Sequence, residues 1–439
     1  MTSAGRRRAL LAGAVFVAGA LAGAAILTAV DRWRGGPPAE LVIVSGVEDG
    51  EGAARQTLID LWNRTHPDRP ARIHLVAGSA DEQHDAMVRF ARGEVAVEAD
   101  ILNLDVTAVA EFAEFRYIAE WPATDTPREL LGTLLRKPRE SCYYGGRLWS
   151  LPFNTDAGVL FAQRRLLGQQ TPTAPTAYTW DDIVARGQGL PAKDDKPTAA
   201  YAGQLQDYEG LTVNTLEALW AVEKERTGAV AATPLGVSTD PAIWSEAVNR
   251  LFGPPGRGRV VDARSTAYQE ADTIAAFLDD QILFMRNWPV AYRSLVEGSD
   301  LRASAAAGEI GMTPLPGPAV LGGQNLAVVA GSRHADDARD LIEFLASEPS
   351  QRLLMQVGGY AAATSATYDR AEIRATHPYA ETVRTAVLDS RQRPATPYYP
   401  RFSEEIRNVV AEIRADGGKV PADLERRLRD ASEGRLPPR

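Results

Sequence analysis

Residues 41–46 read Leu-Val-Ile-Val-Ser-Gly, an uninterrupted apolar run that ends in two small residues. Such a run predicts a strand that is buried on both faces. A helix follows it, with Leu58 and Trp62 on one face, and then a second strand over 72–76 and a second helix over 81–92. Strands that alternate with helices of this length predict βαβ units around a mainly parallel sheet, and therefore an α/β fold.

Carboxylates stand close to the points where these strands end. A third strand over 99–105 finishes in Asp105, and Glu48 and Asp49 follow the first strand. In open α/β sheets, ligands bind at the carboxyl ends of the strands. We therefore expect Glu48, Asp49 and Asp105 to be found where a ligand binds.

The later part of the chain returns to the same alternation after a more helical middle. Residues 324–330 are apolar and extended, and the helix that follows has Ala338 and Leu345 on one face. The tail over 403–429 reads as two charged amphipathic helices. A chain of 439 residues is too long for one compact core, so we expect two domains.

The first 38 residues are of a different kind and predict a membrane anchor or an export signal. Arg6-Arg7-Arg8 precede an uncharged run from Ala9 to Val30. At about 1.5 Å per residue, that run is long enough to cross a hydrocarbon core of about 30 Å. The arginines favour a cytoplasmic N-terminus with the body outside. We expect an uncleaved N-terminal helix that holds the body at the extracytoplasmic face of the cell membrane; the alternative is a cleaved signal and a secreted body.

Composition and missing motifs exclude several classes of function. The net charge of −9 argues against a nucleic-acid partner, because phosphate binding needs a basic surface. The five histidines show no zinc-site spacing, and neither a GxSxG elbow nor a phosphate-binding loop is present. Cys142 is the only cysteine and has no histidine nearby, so we expect an inert thiol. Together these absences favour a binding protein over an enzyme, with no metal and no cofactor.

Several polar segments carry the mixture of side chains that a sugar site needs. Sugars present hydroxyl groups at the ring edge and weakly apolar faces, which suit carboxylates, amides, arginine and aromatic platforms. The segments are 154–156 with Asn154 and Asp156, 207–209 with Glu209, 286–292 with Trp288 and Tyr292, and 393–399 with Arg393. Each also has a structural explanation, since Trp288 could fill a core and Asn154 could cap a helix.

Taken together, these segments resemble the family 1 extracellular solute-binding proteins, the group that contains maltose- and trehalose-binding proteins. The resemblance runs from about Ser45 to Tyr399 and is strongest to actinobacterial members. It rests on the order and spacing of short stretches rather than on one strict motif. The stretches are 58–63 with His66-Pro67, 103–107, 151–158, 208–211, 284–289, 314–317, 321–323, 358–359 and 393–399.

The resemblance implies a type II periplasmic-binding-protein fold, in which two α/β lobes joined by a hinge close on a ligand in the cleft between them. Lobe 1 would comprise residues 39–153 and about 302–350, and lobe 2 residues 154–301 and about 351–439. The implied function is the extracytoplasmic substrate-binding component of an ABC transporter that captures a trehalose- or maltose-like oligosaccharide for import. The partners would be the sugar and the permease subunits in the membrane, and the chain would act as a monomer.

The resemblance also assigns ligand-binding positions. These are Glu48 or Asp49 after the first strand, Asp105, Asn154 and Asp156 in the crossover segment, Trp288 and Tyr292 in the far lobe, Gly322 and Gly323 in a glycine turn, and Arg393. Arg393 matches an arginine that such proteins use to clamp sugar hydroxyls. Glu209, from the polar segment 207–209, completes the predicted ligand-binding set.

Two departures from the family pattern leave a second function open. Gram-positive members usually carry a lipid-modified cysteine after the apolar segment. This chain lacks it, so we expect the run over 9–30 to replace it. Relatives often place an aromatic residue after the paired glycines, where this chain has Gln324. The alternative function is therefore a membrane-anchored receptor module that senses a ligand. A glycosidase, which needs two opposed carboxylates across the scissile bond, is the remaining reading.

Overall fold

The computed structural model of the chain describes residues 40–47, 53–168, 178–190, 196–253, 259–297 and 309–435. Its strands are β1 (Leu41–Gly46), β2 (Ala71–Val76), β3 (Ile101–Asp105), β4 (Tyr143–Tyr144), β5 (Arg147–Leu148), β6 (Leu151–Ala157), β7 (Val159–Gln163), β8 (Ala199–Ala202), β9 (Ile282–Asn287), β10 (Ile310–Pro314) and β11 (Leu321–Val328). The predicted membrane segment over 9–30 lies outside the described ranges. Within them, no helix combines the length and the hydropathy that a membrane span requires.

The helices alternate with the strands in the first third of the chain and dominate the last third. They are α1 (Ala54–Thr65), α2 (Ala80–Ala91), α3 (Ala108–Glu114), α4 (Arg128–Thr133), α5 (Arg136–Glu140), α6 (Trp180–Gln188), α7 (Glu209–Thr227), α8 (Pro241–Phe252), α9 (Glu270–Leu278), α10 (Ala291–Glu297), α11 (Ala335–Ala346), α12 (Glu348–Gly358), α13 (Ala371–Thr376), α14 (Ala380–Asp389), α15 (Tyr399–Ala415) and α16 (Leu424–Ser432). Short 3₁₀ helices cover Ala263–Ala267 and Ser365–Asp369.

The first sheet has five strands in the order β2-β1-β3-β11-β6. Its first three strands are parallel, as the alternation of strands and helices predicts. Strand β1 is buried along its whole length because helices cover both faces of the sheet. Strand β11 then joins antiparallel between β3 and β6, which the sequence pattern did not indicate. Hydrophobic periodicity identifies a strand, but it carries no information on the direction of a partner that is far away in the chain.

The second sheet has four strands in the order β10-β7-β9-β8. Strands β6 and β7 are separated only by Gly158, so the chain passes from the first sheet to the second at that residue. The chain returns to the first sheet between β10, which pairs with β7, and β11, which pairs with β3. The two sheets form the two α/β lobes of the type II binding-protein fold. Strand β10 lies inside the range of about 302–350 expected for lobe 1, yet it pairs with the second sheet, because strand pairing is decided by distant residues.

Each lobe has its own apolar core. In the first lobe, the inward face of α1 packs Leu58 and Trp62 against the sheet, and α11 adds Leu341 and Leu345 from the other end of the chain. Helix α2 begins with a capping box between Ser79 and Glu82, which sets where that helix starts. Four helices of the second lobe, α7, α8, α15 and α16, share a separate core.

Cys142 is completely buried in the core of the first lobe. Its thiol donates to the carbonyl oxygen of Pro138 at 3.3 Å. Burial raises the pKa of the thiol to about 12. A thiol that stays protonated at neutral pH is a poor nucleophile, which agrees with the expected inert role.

Candidate functional site

A cavity of about 330 Å³ lies between the two lobes, at the carboxyl end of β3. Its wall on the first lobe comes from β3, β11, α2 and α3, and its wall on the second lobe comes from the first residue of α7 and from α15. The polar residues that line it include Asp81, Asn103, Asp105 and Gln324 on the first lobe and Glu209, Tyr399, Ser403 and Arg407 on the second. The cavity therefore lies at the position where ligands usually bind in open α/β sheets, next to the carboxyl end of a strand.

Arg393 joins the two walls. Its Nη1 donates to Glu209 Oε1 at 2.7 Å and its Nη2 donates to Asp105 Oδ1 at 3.0 Å. The arginine side chain is only 2% exposed, whereas Asp105 is 46% exposed and so is open to a ligand. Asp105 is also held by Thr107, whose backbone N–H and hydroxyl both donate to Oδ1. Three of the predicted site residues thus form one cluster across the cleft.

Glu209 is the more buried of the two carboxylates in this cluster. Besides Arg393, it accepts from the Tyr399 hydroxyl at 2.5 Å and from the Ser403 hydroxyl at 2.6 Å. Burial raises the pKa of the Glu209 carboxyl, although Arg393, Ser403 and Tyr399 each favour its ionised form. The carboxylate is therefore held in one orientation at the start of α7, where the helix dipole also favours a negative charge.

A second connection between the lobes runs through Asp81 at the start of α2. One oxygen of this carboxylate accepts from the backbone N–H of Glu209 at 3.2 Å, and the other accepts from Arg407 Nη2 at 3.2 Å. Arg407 also donates to the Ser403 hydroxyl at 2.8 Å. Asp81 thus ties the first lobe to two parts of the second.

Trp288 directly follows β9 and is half-buried. The Arg286 guanidinium lies 4.0 Å from the centroid of the Trp288 ring. The Trp288 Nε1 donates to Glu270 Oε1 at 3.2 Å. The ring also lies against Gly322, where an added Cβ would stand 2.9 Å from the Trp288 Cζ3 atom. Trp288 does not line the cavity itself, so any contact with a ligand would come from the exposed part of the ring.

Gly323 follows on β11 and has a backbone that other residues rarely adopt, with φ at +109°. An added Cβ would stand 2.6 Å from the Asn154 carbonyl oxygen on the neighbouring strand. Gly322 and Gly323 therefore allow β11 to pass between Trp288 and β6.

We expect Gly323→Ala to destabilise the protein more than Gly417→Ala does. Both glycines have positive φ, which costs a residue with a side chain about 1–2 kcal/mol, but only Gly323 has backbone atoms in the way of a Cβ. Gly417, with φ at +65°, has nothing within 4 Å. Urea unfolding curves for the two variants give the comparison. Equal losses of unfolding free energy would show that the close approach of β6 is not a constraint.

Asn154, Asp156 and Tyr292 do not line this cavity. Asn154 is 5% exposed and pairs with Gln324 in the register of β6 and β11. Asp156 accepts from the backbone N–H of Ala157 at 3.1 Å. Tyr292 stacks edge-on against Tyr379 at 5.2 Å, in a separate cavity of about 220 Å³ on the second lobe. Glu48 and Asp49 lie outside the described residues.

Comparison with known proteins identifies the family. The profile of the bacterial extracellular solute-binding proteins matches residues 75–380. The chain belongs to this family. A probable ABC transporter-binding protein of Deinococcus radiodurans is 30% identical over 265 residues, which are 57% of this chain and 60% of that protein. An uncharacterized lipoprotein of Streptomyces antibioticus is 24% identical over 413 residues, or 85% of this chain and 81% of that protein.

Solved structures of solute-binding proteins share the two-lobe fold. Maltose-bound MalE3 of T. maritima has a TM-score of 0.75 and 25% identity, with 90% of this chain and 98% of that chain covered. The GacH receptor of Streptomyces glaucescens has a TM-score of 0.72 and 18% identity, with the same two coverages. Membership of this extracellular family places the body of the chain outside the cytoplasm, and the family binds solutes rather than transforming them.

Sequence reasoning missed the part of this candidate site that lies on α15. Tyr399 was noted only as part of a polar segment, and Ser403 and Arg407 only as the start of an amphipathic helix. Their spacing of four residues places both on one face of the helix, which is a usable indication. Nothing local to the sequence, however, indicates that this face turns toward Asp81 of the other lobe.

Proposed function

We propose that the chain is the substrate-binding component of an ABC importer and captures an oligosaccharide of the trehalose or maltose type. The observation that carries the proposal is Arg393, which is buried and bridges Asp105 of the first lobe and Glu209 of the second. Carboxylates fixed in this way can accept hydrogen bonds from sugar hydroxyls on both sides of one cleft. The similarity to a probable ABC transporter-binding protein and to maltose-bound MalE3 supports the same assignment.

The direct test is a thermal-shift screen of the full-length chain in detergent with glucose, maltose, trehalose, maltotetraose and sorbitol. A ligand at a hundred times its dissociation constant stabilises the folded state by about 2.7 kcal/mol. We expect at least one of these compounds to raise the melting temperature. The proposal fails if none of the five does so at millimolar concentration.

The fold suggests how capture and delivery are coupled. We propose that lobe 1 and lobe 2 close by a hinge motion at the strand crossings, and that ligand selects the closed form. The links from Asp81 to Glu209 and Arg407 would form in the closed form only. A permease could then recognise the loaded protein by its closed shape. Co-purification with permease subunits would support import, whereas co-purification with a kinase or another regulator would favour the receptor alternative.

Acidification is expected to weaken sugar binding before it affects the fold. The raised pKa of Glu209 means that this carboxyl gains its proton at a higher pH than an ordinary glutamate does. Protonation removes one of the two negative partners of Arg393, so the affinity should fall as the pH is lowered through that raised pKa. The contribution of Glu209 to the free energy of unfolding has the opposite sign: it is present below the pKa of the unfolded chain and is lost as the pH rises through the folded pKa.

Titration calorimetry and melting curves from neutral pH to below the ordinary pKa of a glutamate separate these two effects. In Glu209→Gln, which cannot ionise, this pH dependence of the affinity should be absent. A wild-type affinity that falls with pH no more steeply than that of Glu209→Gln would contradict the assignment of Glu209 to the site.

We also propose that the N-terminal segment remains attached and holds the protein at the membrane. The uncharged run from Ala9 to Val30 after three arginines is the basis of this proposal. The protein should sediment with membranes, and its N-terminal sequence should begin near Met1. Soluble protein that begins between about Ala25 and Ala39 would show instead that the segment is a cleaved export signal.

A further inference from the structure

Gln324 lies on the cavity wall with a carboxamide whose orientation can be derived from its neighbours. Its Oε1 accepts from Arg55 Nη2 at 2.7 Å. A guanidinium has donors and no acceptor, so the group that faces Arg55 must be the carbonyl oxygen of the amide. Arg55 is itself 2% exposed and donates from Nη1 to Ser45 Oγ and to the Gly46 carbonyl oxygen. The Gln324 amide is therefore held in one of its two orientations.

The same reasoning orients Asn103, which stands beside Gln324 on β3. Because Gln324 presents an oxygen, Asn103 must present its Nδ2, and the two atoms are 3.0 Å apart. The other hydrogen of that Nδ2 is used by Ser45 Oγ, also at 3.0 Å. Asn103 is 3% exposed, and its Oδ1 is buried with no hydrogen-bond partner among the described residues. Such an acceptor is costly to leave unpaired.

Gln324 and Asn103 thus bring two complementary groups to the cavity. The Nε2 of Gln324 has two hydrogens and no acceptor in the described part of the chain, and Asn103 Oδ1 is an acceptor with no donor. A hydroxyl group both accepts and donates, so it can satisfy the two together. A carboxylate would place a second acceptor against Asn103 Oδ1, and an ammonium group would place further donors against the Gln324 hydrogens. Neither group can therefore satisfy both side chains.

Resting on the proposed function, we infer that Gln324 and Asn103 determine specificity for a neutral hydroxyl group at the edge of a short sugar. Arg55 is the residue that positions them. The amide side chain at position 324 has no ring on which a sugar could stack. Residue 324 would therefore bind hydroxyl groups at the edge of the sugar ring rather than the face of the ring. The cavity of about 330 Å³ is near the lower end of the range for small-molecule sites, which fits one or two sugar rings better than a longer chain.

The test is titration calorimetry of the full-length chain with glucose, maltose, trehalose, sorbitol and maltotetraose. Gln324→Met keeps the length of the side chain and removes the amide. It should weaken binding of the best of these ligands about 10- to 100-fold, because Asn103 then lacks its complement and the hydroxyl lacks a donor. Gln188→Met is the matched control, because Gln188 is exposed at the end of α6, and it should bind as the wild type does.

Singly deoxygenated analogues of the best ligand give a second readout. One analogue should bind the wild type much more weakly than the parent ligand does. Gln324→Met should bind that analogue and the parent ligand with nearly equal affinity, because the hydroxyl and the amide contribute to the same contact. Melting curves establish that the variant is folded, and Gln324→Leu replaces it if it is not. Equal affinities of Gln324→Met and the wild type would overturn the inference, as would maltotetraose binding more tightly than maltose. Failure of all five compounds to bind the wild type would instead overturn the proposed function.

Discussion

Arg393→Met is expected to reduce sugar affinity by more than a hundredfold and to lower the free energy of unfolding by about 3 kcal/mol. The variant removes both links to the cleft carboxylates, at 2.7 Å to Glu209 and at 3.0 Å to Asp105. Charge-assisted hydrogen bonds contribute about 1.5–3 kcal/mol each. Removing one partner of a buried ion pair leaves the other charge unpaired, which costs about 3–5 kcal/mol. The lower figure applies because Asp105 remains 46% exposed to water.

Arg226→Met provides the matched control for this variant. Arg226 pairs with Glu246 at 3.1 Å, but its side chain is 47% exposed, and surface pairs contribute about 0–1 kcal/mol. Titration calorimetry gives the affinity of both variants, and urea unfolding gives their stability. Arg393→Met with the affinity of the wild type would show that Arg393 has only a structural role and that the ligand binds elsewhere.

Arg286→Met is expected to lower the free energy of unfolding by about 3–5 kcal/mol. Arg286 is 1% exposed and makes two hydrogen bonds to Glu217, from Nε at 2.9 Å and from Nη2 at 2.8 Å. Glu217 also accepts from the backbone N–H of Val320 at 3.0 Å, so one carboxylate connects α7, β9 and the segment before β11. Without the arginine, that carboxylate would be a buried and uncompensated charge. The face of Trp288 that now lies over the guanidinium would lose its support as well.

The same substitution at an exposed pair and a double variant separate charge burial from loss of packing. Arg136 pairs with Glu140 at 3.2 Å on the surface, so Arg136→Met should change stability by less than 1 kcal/mol. Adding Glu217→Gln to Arg286→Met should recover part of the loss, because the unpaired charge is then gone. If Arg286→Met unfolds at the same urea concentration as Arg136→Met, the buried pair is not a significant contributor to stability.

Secondary structure was the part of this protein that local sequence determined best. The strand expected over 72–76 is found at Ala71–Val76, and the helix expected over 81–92 is found at Ala80–Ala91. The helix expected after residues 324–330 is α11. Its apolar face is buried, as expected, and comprises Ala338, Leu341, Ile342 and Leu345. These features depend on neighbours two to four residues apart, which the sequence displays directly.

The candidate site was determined in part. Asp105 was expected from its place at the end of a strand, and Glu209 and Arg393 from polar segments together with a family resemblance. The structure brings these three together, although Arg393 and Asp105 are 288 positions apart in the chain. It leaves Tyr292 in a different cavity, because the position of a residue along a helix does not specify which neighbouring element packs against it.

The sequence by itself determined the α/β alternation and the strand end at which the candidate site lies, because each is a property of residues close together in the chain. It also determined the family, through the order and spacing of short stretches along the chain. Only the tertiary structure decided which partners meet across the cleft. Asp81 and Arg407 are 326 positions apart, and Arg55 and Gln324 are 269 positions apart. Contacts of this kind form only after both lobes have folded and faced each other. The orientation of a buried amide such as Gln324 then depends on whether its neighbour is a donor or an acceptor, which no local pattern encodes.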